Sequence, residues 1–145
     1  MNKASAKDYT LGTQYFKSGL KMTYIYDNQN IFAKILRGEI PNDTVLETDH
    51  ALAFRDINAQ RPLHVLVIPK GRYVSFDHFA KEASDVEIVG FTRAVGKVCD
   101  ILGVSIDVGD GFRMIANSGE HGVQEVPHLH VHILGGSSVG RMIES

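Results

Sequence analysis

Three histidines alternate with apolar residues near the end of the chain, in the run His128-Leu129-His130-Val131-His132-Ile133. In a β-strand, residues two apart project to the same face, so this spacing predicts three imidazoles in a row with three apolar side chains on the opposite, buried face. A neutral imidazole nitrogen is a competent nucleophile, and neighbouring imidazoles can donate to phosphate oxygens as charge develops. The pattern indicates phosphoryl or nucleotidyl transfer, with the central His130 as the nucleophile.

The same row could instead be a solvated sheet surface or a metal site. Imidazole is the commonest neutral metal ligand, and His64 could add a fourth nitrogen. Three ligands along one flat strand spread over roughly 13 Å, however, which suits a tetrahedral site poorly. A nucleophile flanked by two donors needs no such convergence. The spacing therefore favours nucleophilic catalysis, and we expect no metal and no other cofactor to be required.

The loop before the row, over residues 117–127, could hold an anion. It contains Asn117 and two glycines, Gly119 and Gly122. Glycines allow backbone N–H groups to approach a phosphate closely. A simple turn would have the same composition, so the loop alone identifies no ligand.

The composition is that of an ordinary globular domain. Of 145 residues, 43% are hydrophobic and 22% are charged, which is enough for one core. A net charge of −2 gives no electrostatic footprint for nucleic acid. Cys99 is the only cysteine, so a Cys-rich zinc site is excluded and a reducing compartment fits. No apolar run reaches the about 18 residues of a membrane span. From the charge, the single cysteine and the short apolar runs we expect a cytoplasmic protein that binds neither nucleic acid nor a membrane.

The first 22 residues differ from the rest of the chain. The segment from Met1 to Lys21 carries four lysines against a single acid, Asp8, and lacks the apolar centre of a secretory signal. A mitochondrial presequence without arginine would be unusual. We therefore expect residues 1–22 to be a disordered or non-native leader, with Met22 as the native start, and residues 23–145 to form the folded domain.

Capping residues predict two helices. Asn30 is a suitable N-cap for a short helix over residues 31–36. Ser84 and Glu87 have capping-box spacing at the start of a long helix, Asp85–Leu102. A glycine follows the end of each helix, as helix C-termini prefer. Gly90, Ala94 and Gly96 lie off the main apolar line of the long helix, so they are expected to let another surface approach.

Alternation and turn residues predict five strands, at Thr44–Glu47, Ala51–Arg55, Leu63–Ile68, Phe112–Ala116 and Leu129–Leu134. Sequential strands are usually neighbours in a sheet. The order of elements therefore predicts an α+β domain, with a mainly antiparallel five-stranded sheet, one long helix and one short helix.

Together these residues resemble the histidine-triad (HIT) family. The row matches the family pattern His-x-His-x-His followed by apolar residues. Four further segments look like family segments in family order: 31–35, 53–57, 62–70 and 122–126. Gly135-Gly136 after the row resembles the nucleotide-binding (Hint-like) branch, whereas the dinucleoside polyphosphate hydrolase branch usually has Pro-Arg there. Gln124-Glu125-Val126 resembles the bacterial members of the Hint-like branch.

The resemblance implies an activity and an assembly. It implies hydrolysis of purine nucleoside 5′-phosphoramidates and acyl adenylates to AMP, by a double displacement through a nucleotidyl-histidine and without a required metal. It also implies a homodimer whose two sheets join into one, paired through the long helix and a sheet edge. Two other functions stay open, a dinucleoside polyphosphate hydrolase and a non-catalytic AMP-binding interaction module.

The resemblance assigns the histidines to the chemical step. His130 would attack the α-phosphorus, and His128 would sit behind it as an orienting partner. His132 and His64 would contact phosphate oxygens.

It also assigns residues to nucleotide binding. Those expected to hold the phosphate are Asn117 and the backbone of Val123, Gln124 and Glu125. Asp56 would accept hydrogen bonds from the ribose hydroxyls, a role that suits an ionised carboxylate. Four apolar residues would form the wall of the purine pocket: Phe32, Ile35, Phe54 and Ile57. Arg55 is also expected to bind the nucleotide. Val123 stands where the family often has Gly, and Glu125 where animal members carry Ser.

Overall fold

The computed structural model describes residues 13–15 and 21–143, which form seven strands and three helices. The strands are β1 (Thr13–Tyr15), β2 (Lys21–Tyr24), β3 (Thr44–Glu47), β4 (Ala51–Arg55), β5 (Leu63–Pro69), β6 (Arg113–Ile115) and β7 (Val131–Gly135). The helices are α1 (Ile31–Leu36), α2 (Phe76–Glu82) and α3 (Asp85–Leu102). Strands β3 to β7 form one antiparallel sheet in the order β3-β4-β5-β7-β6. The predicted α+β class and five-stranded antiparallel sheet are confirmed.

The two faces of this sheet are covered by different helices. The residues buried on the side of α3 include Val65, Val67, Phe91, Val98, Leu129, Val131 and Ile133. The smaller cluster on the side of α1 consists of Phe32, Ile35, Leu52, Phe54, Leu66 and Ile68. The predicted alternation of the histidine row is present. Its apolar residues lie in the core under α3, and its histidines lie on the face of the sheet covered by α1.

The predicted caps of both helices are present. The Asn30 side chain accepts from the backbone N–H of Ala33 at the start of α1. Ser84 and Glu87 form a complete capping box at the start of α3. Gly103 ends α3 with φ 69°, a left-handed conformation that favours glycine. These local bonds fix the ends of the helix that covers one face of the sheet.

The small residues of α3 do not all face outward, which corrects the sequence expectation. Ala94 is buried in the chain's own core. A side chain at Gly90 would collide with His50, so this glycine serves packing within the chain. Gly96 alone of the three is exposed, with open space where a Cβ would be.

Helix α2 was not predicted from the sequence, which gave one short and one long helix. Ser75 is its N-cap and accepts from the backbone N–H of His78, and Asp77 lies in its first turn. The helix has only seven residues and ends directly against the cap of α3. Of these two consecutive helices, only α3 is long enough to show a repeating apolar pattern in the sequence. The shorter α2 was missed for this reason.

Strand β7 begins two residues later than predicted. The β5–β7 ladder ends at the pair Val67 and Val131. The backbone N–H of Leu129 donates to the carbonyl of Tyr73 instead of to β5. The carbonyl of Pro69 accepts from the His128 ring. Of the three histidines only His132 is a strand residue, and the other two lie just outside the ladder.

The predicted leader, residues 1–22, lies largely outside the described residues and stays a prediction. Strand β1 and the first two residues of β2 fall within it, and the two strands pair in a separate two-stranded antiparallel sheet. Over residues 13–15 and 21–143, the structure has no helix with the length and apolar character of a membrane span.

Candidate active site

Four histidines lie together on the α1 side of the sheet. His132 on β7 is opposite Leu66 on β5, and His64 is two residues from Leu66, so both imidazoles project from the same face. Their ring centroids are 5.2 Å apart, and His130 lies at the same distance from His132. Phe32 of α1 contacts the His130 ring edge to face, with centroids 5.0 Å apart. The structure places His64 beside the row, and its predicted contact with phosphate stays a prediction.

The hydrogen bond of His130 determines which of its ring nitrogens carries the proton. Nδ1 of His130 lies 2.7 Å from the backbone carbonyl of His128. A carbonyl only accepts, so Nδ1 carries the proton and Nε2 carries the lone pair in the neutral ring. His130 is 6% exposed, and its burial lowers the pKa of the imidazole. The His130 ring is therefore neutral at pH 7, with Nε2 as its free base.

His128 is held at both ring nitrogens. Its Nε2 donates to the carbonyl of Pro69 at 2.9 Å, and its Nδ1 accepts from the hydroxyl of Tyr26 at 2.5 Å. The ring is completely buried, and this burial lowers the pKa of His128 to about 4. His128 is therefore a neutral ring at pH 7, and its backbone carbonyl contacts His130; its predicted role as an orienting partner stays a prediction.

His64 and His132 form a second hydrogen-bonded pair. The backbone N–H of Gln60 donates to Nδ1 of His64 at 3.0 Å, so the proton of this neutral ring is on Nε2. That nitrogen lies 2.9 Å from Nδ1 of His132, which accepts and leaves the His132 proton on its own Nε2. Burial, followed by the neighbouring His130 and His64, lowers the pKa of His132 to about 4. His132 can thus donate one neutral N–H from Nε2.

Asp56 joins this pair at the end of β4. Its Oδ2 lies 3.3 Å from Nε2 of His64, and its Oδ1 accepts from the backbone N–H of Asn58 at 2.8 Å. Burial lowers the pKa of His64, and the Asp56 carboxylate partly opposes that change. Because each oxygen of the Asp56 carboxylate has a partner within the chain, its orientation is fixed without a ligand.

Asp56, His64 and His132 are the described residues that could hold a divalent cation. One ligand atom from each lies within 4.8 Å of the other two. Two imidazoles and a carboxylate are a suitable donor set for zinc. Only His132 of the three-histidine row belongs to this group of possible ligands. The three histidines of the row do not point to one common position. The expectation that no metal is required stays a prediction.

The loop before the row is anchored by Gln124. Its side-chain Nε2 donates to the carbonyls of Val74 and Val126, and its Oε1 accepts from the backbone N–H of Gly119. The backbone N–H groups of Val123 and Gln124 bond within the turn, to Glu120 and Gly119. In this structure the two amides are therefore committed to the loop, and phosphate binding by Asn117 and the Glu125 amide stays a prediction.

Val123 has an unusual backbone. Its φ of 53° lies in the left-handed region, where a β-branched residue is strained. Among residues 13–15 and 21–143, Val123 is the only non-glycine residue with a positive φ. Its side chain is 70% exposed. The neighbouring Glu125 carboxylate lies near enough to raise the pKa of His130, against the larger effect of burial.

The residues expected around the nucleoside divide into two groups. Phe32, Ile35 and Phe54 belong to one buried cluster next to the histidines. Ile57 is 96% exposed, outside this cluster. Arg55 is exposed too, and its Nε lies 3.7 Å from Oδ2 of Asp43. The structure therefore brings together three of the five.

Sequence reasoning missed the contribution of Tyr26, which bonds to His128 across 102 positions of the chain. The sequence signal was a pair of tyrosines, Tyr24 and Tyr26, two positions apart shortly before α1. In an extended segment this spacing puts both rings on one face, where they can pack against the domain.

Comparison with known proteins identifies the family. A family model described as the HIT domain matches residues 37–139. An uncharacterised 13.2 kDa HIT-like protein of Azospirillum brasilense is 53% identical over 122 residues, which cover 84% of this chain and 98% of the relative. The purine nucleoside phosphoramidase of Escherichia coli (strain K12) is 37% identical over 115 residues, with 79% and 93% covered. A 14 kDa zinc-binding protein of Zea mays is 42% identical over 110 residues, with 76% and 84% covered.

A solved structure agrees with these relatives. The histidine triad protein from Clostridium difficile superposes with a TM-score of 0.67 at 40% identity, covering 77% of this chain and 93% of its own. Its match supports the antiparallel sheet and the order of elements described above. The matched family model, the extent of the sequence identity and the shared fold lead to one conclusion: this chain belongs to the HIT family.

Proposed function

We propose that the protein is a hydrolase that converts purine nucleoside 5′-phosphoramidates and acyl adenylates to AMP through a nucleotidyl-histidine. The observation that carries the proposal is the 2.7 Å hydrogen bond from Nδ1–H of His130 to the carbonyl of His128. This bond selects the tautomer in which Nε2 is the free base. The similarity to a purine nucleoside phosphoramidase supports the substrate class.

In the first displacement, Nε2 of His130 forms a bond to the α-phosphorus as the bond from phosphorus to the leaving group breaks. The leaving amine takes a proton from water, or an acyl carboxylate leaves without one. The ring then has a phosphoryl group on Nε2 and a proton on Nδ1, so it is cationic. The His128 carbonyl, already bonded to that proton, stabilises the positive charge where it develops.

In the second displacement, water attacks the phosphorus and the bond to Nε2 breaks, which releases AMP and restores neutral His130. The proton of the attacking water passes to solvent. His132 supports both steps from one side, because its Nε2–H is free of the bond to His64 and can donate to a phosphate oxygen. His64 maintains that tautomer through its own Nε2–H.

The proposed mechanism uses no metal. Neutral imidazoles supply the nucleophile and the donor, so each role in the two displacements has a residue of this chain. Asp56, His64 and His132 could bind a divalent cation, and the maize relative is called a zinc-binding protein. A cation there would be held by the Asp56 carboxylate and one ring nitrogen each of His64 and His132, where it would act as a Lewis acid.

The proposed assembly is a homodimer. Strand β6 is an edge of the five-stranded sheet, and its Met114 is 55% exposed. Phe112 beside it, together with Ile101 and Ile106 near the end of α3, is also exposed. An apolar patch next to an unpaired sheet edge is a surface that a two-fold partner can cover. Gly96 on α3 leaves space for close approach on the same helix.

The test is intact-protein mass spectrometry after brief mixing with adenosine 5′-phosphoramidate, followed by mapping of the adduct and steady-state kinetics. We expect a mass increase equal to an adenylyl group on His130. His130→Asn should lose the adduct and reduce kcat by at least about a thousandfold. His50→Asn, at the turn between β3 and β4, is the control and should keep both.

The outcomes separate the alternatives. Faster turnover of a dinucleoside polyphosphate than of the phosphoramidate would favour the polyphosphate hydrolase. Tight AMP binding with neither adduct nor turnover would favour a binding module. His130→Asn with more than about a tenth of the wild-type kcat would show that His130 is not the nucleophile.

A further inference from the structure

We propose that Tyr26 is a positioning residue for the nucleophile, acting through His128 on His130. This inference rests on the proposed function, because it assigns Tyr26 a role in the covalent step. Neither the family model, which begins at residue 37, nor the names of the relatives assign anything to this tyrosine.

A chain of hydrogen bonds joins the two residues. The Tyr26 hydroxyl donates to Nδ1 of His128 at 2.5 Å. The same ring donates from Nε2 to the carbonyl of Pro69 at the end of β5, at 2.9 Å. The backbone carbonyl of His128 then accepts from Nδ1 of His130 at 2.7 Å. Each donor and acceptor in the chain has one assignment, because the Pro69 and His128 carbonyls can only accept.

The chain matters because His128 and His130 lie outside the β5–β7 ladder, which ends at Val131. Their backbone is held by two bonds to loops, from His128 N–H to Val126 and from Leu129 N–H to Tyr73. The His128 ring connects this backbone to β5 through its hydrogen bond to the Pro69 carbonyl. With Tyr26 donating to Nδ1, the ring must present Nε2–H to Pro69. Without that donor, the Pro69 carbonyl still requires the proton on Nε2, so Nδ1 becomes a buried acceptor that has lost its hydrogen bond.

The fully buried position of His128 sharpens the effect. A ring with no exposed surface cannot exchange its lost partner for bulk water, so the nitrogen stays unsatisfied or the ring moves. Movement of His128 displaces the carbonyl that sets the tautomer and direction of His130. A small displacement of a nucleophile lowers the rate of the chemical step more than it lowers substrate affinity.

The chain offers a matched pair of variants. Tyr26→Phe removes the hydroxyl but keeps the ring, which contacts His128 edge to face at 5.5 Å. Tyr24→Phe is the control, because Tyr24 anchors the same segment two residues earlier. Its hydroxyl donates to Asp77 at 2.6 Å, and its ring stacks on His78 of α2 rather than on the histidine row. Each variant therefore loses one hydrogen bond that holds residues 24–26 to the domain. Only Tyr26→Phe loses the hydrogen bond to His128.

The kinetic experiment measures kcat and KM for adenosine 5′-phosphoramidate in the full-length wild type and both variants. For Tyr26→Phe we expect kcat to fall about tenfold while KM stays within about twofold. Tyr24→Phe should keep both constants within about twofold of the wild type. An unchanged kcat in Tyr26→Phe, or equal losses in the two variants, would overturn the proposal.

The second readout needs no turnover. Long-range ¹H–¹⁵N correlation spectra of the free protein report which ring nitrogen of each histidine carries the proton. We expect the Nε2–H form for His128 in all three proteins, with the ¹⁵N resonance of the unprotonated Nδ1 displaced in Tyr26→Phe alone, where this nitrogen has lost its donor. A wild type with His128 in the Nδ1–H form, or a spectrum unchanged by Tyr26→Phe, would contradict the assignment. If the wild type does not turn over the phosphoramidate, the proposed function fails while this measurement still decides the hydrogen bond.

Discussion

Nε2 of His64 lies 2.9 Å from Nδ1 of His132 and 3.3 Å from Oδ2 of Asp56, so two acceptors share one imidazole proton. A ligand that hydrogen-bonds to Asp56 would weaken its hold on this proton and strengthen the bond to His132. Occupation of the proposed ribose site would in this way favour the tautomer of His132 that donates to phosphate. Nucleoside binding and the chemical step would then be coupled through His64.

Asp56→Ala should raise KM for ribonucleoside substrates by about tenfold or more, the effect of losing charged hydrogen bonds to two hydroxyls. A 2′,3′-dideoxy substrate lacks those hydroxyls, so its KM should change much less. The measurement is KM for both substrates in the wild type and the variant. Because Asp56 also contacts His64, a moderate decrease of kcat common to both substrates is expected. Equal increases of KM for the two substrates would show that Asp56 acts only on the structure of the site.

Activity should survive removal of metal. Neutral imidazoles fill each role in the proposed mechanism, and the pKa of His132 is lowered to about 4, so it stays a neutral donor at pH 7. The experiment is a phosphoramidate assay after dialysis against EDTA and then against metal-free buffer. We expect kcat within about twofold of the undialysed protein. A loss that added Zn²⁺ restores would instead place a catalytic cation at Asp56, His64 and His132.

The free energy of unfolding should decrease as the solution is acidified from pH 7 to pH 4. His128 has a pKa of about 4 in the folded protein, against 6.5 for an ordinary histidine, so the unfolded chain binds more protons in this range. Its contribution is complete above pH 6.5 and is lost as the pH falls to about 4, a change of about 3 kcal/mol. Urea unfolding at several pH values measures the slope. His128→Gln, which cannot titrate, should have a shallower slope, and an unchanged slope would contradict the assignment.

Val123→Gly should stabilise the protein by about 1 kcal/mol, because glycine adopts φ 53° without strain and this gain exceeds its entropic cost. Val108→Gly is the matched control. Val108 has a similar exposure, 68% against 70%, and no positive φ. The control variant should be destabilised by roughly 0.5–1 kcal/mol. Urea unfolding gives both values, and a decrease of stability in Val123→Gly as large as in the control would show that position 123 is unstrained.

The protein should be a homodimer in solution. The reason is the exposed apolar patch beside the edge strand β6, which includes Phe112 and Met114. Light scattering at micromolar concentration should give about twice the chain mass of 16.0 kDa. Met114→Lys, on the edge strand itself, should shift the mass toward the monomer. A wild-type mass near 16.0 kDa would rule the dimer out.

The parts of the fold that the sequence predicted are those with local causes. The bounds of β3 and β4 and the capped ends of α3 depend on neighbouring residues, through alternation, turns and capping hydrogen bonds. The face that each residue of the histidine row occupies follows from the two-residue period of an extended chain. These features needed no knowledge of distant residues.

The features that were missed depend on distant parts of the chain. The late start of β7 arises because Tyr73 and the His128 ring take hydrogen bonds that a longer ladder would have used. Tyr26 and His128 are 102 positions apart in the chain, with most of the sheet between them in sequence. Gln124, expected near the phosphate, has its side chain bound to Val74. No period or motif within one segment encodes such contacts.

The segment from His128 to Ile133 has imidazoles on one side and core residues on the other, and this arrangement makes its length more critical than any single side chain. Deleting or inserting one residue there would exchange the two sides. The imidazoles would enter the apolar space under α3, and Leu129 and Val131 would take the place of the nucleophile. Folding and activity would then fail together. A substitution in this segment changes one side chain, whereas a change in residue number would remove the active site and part of the core in one event.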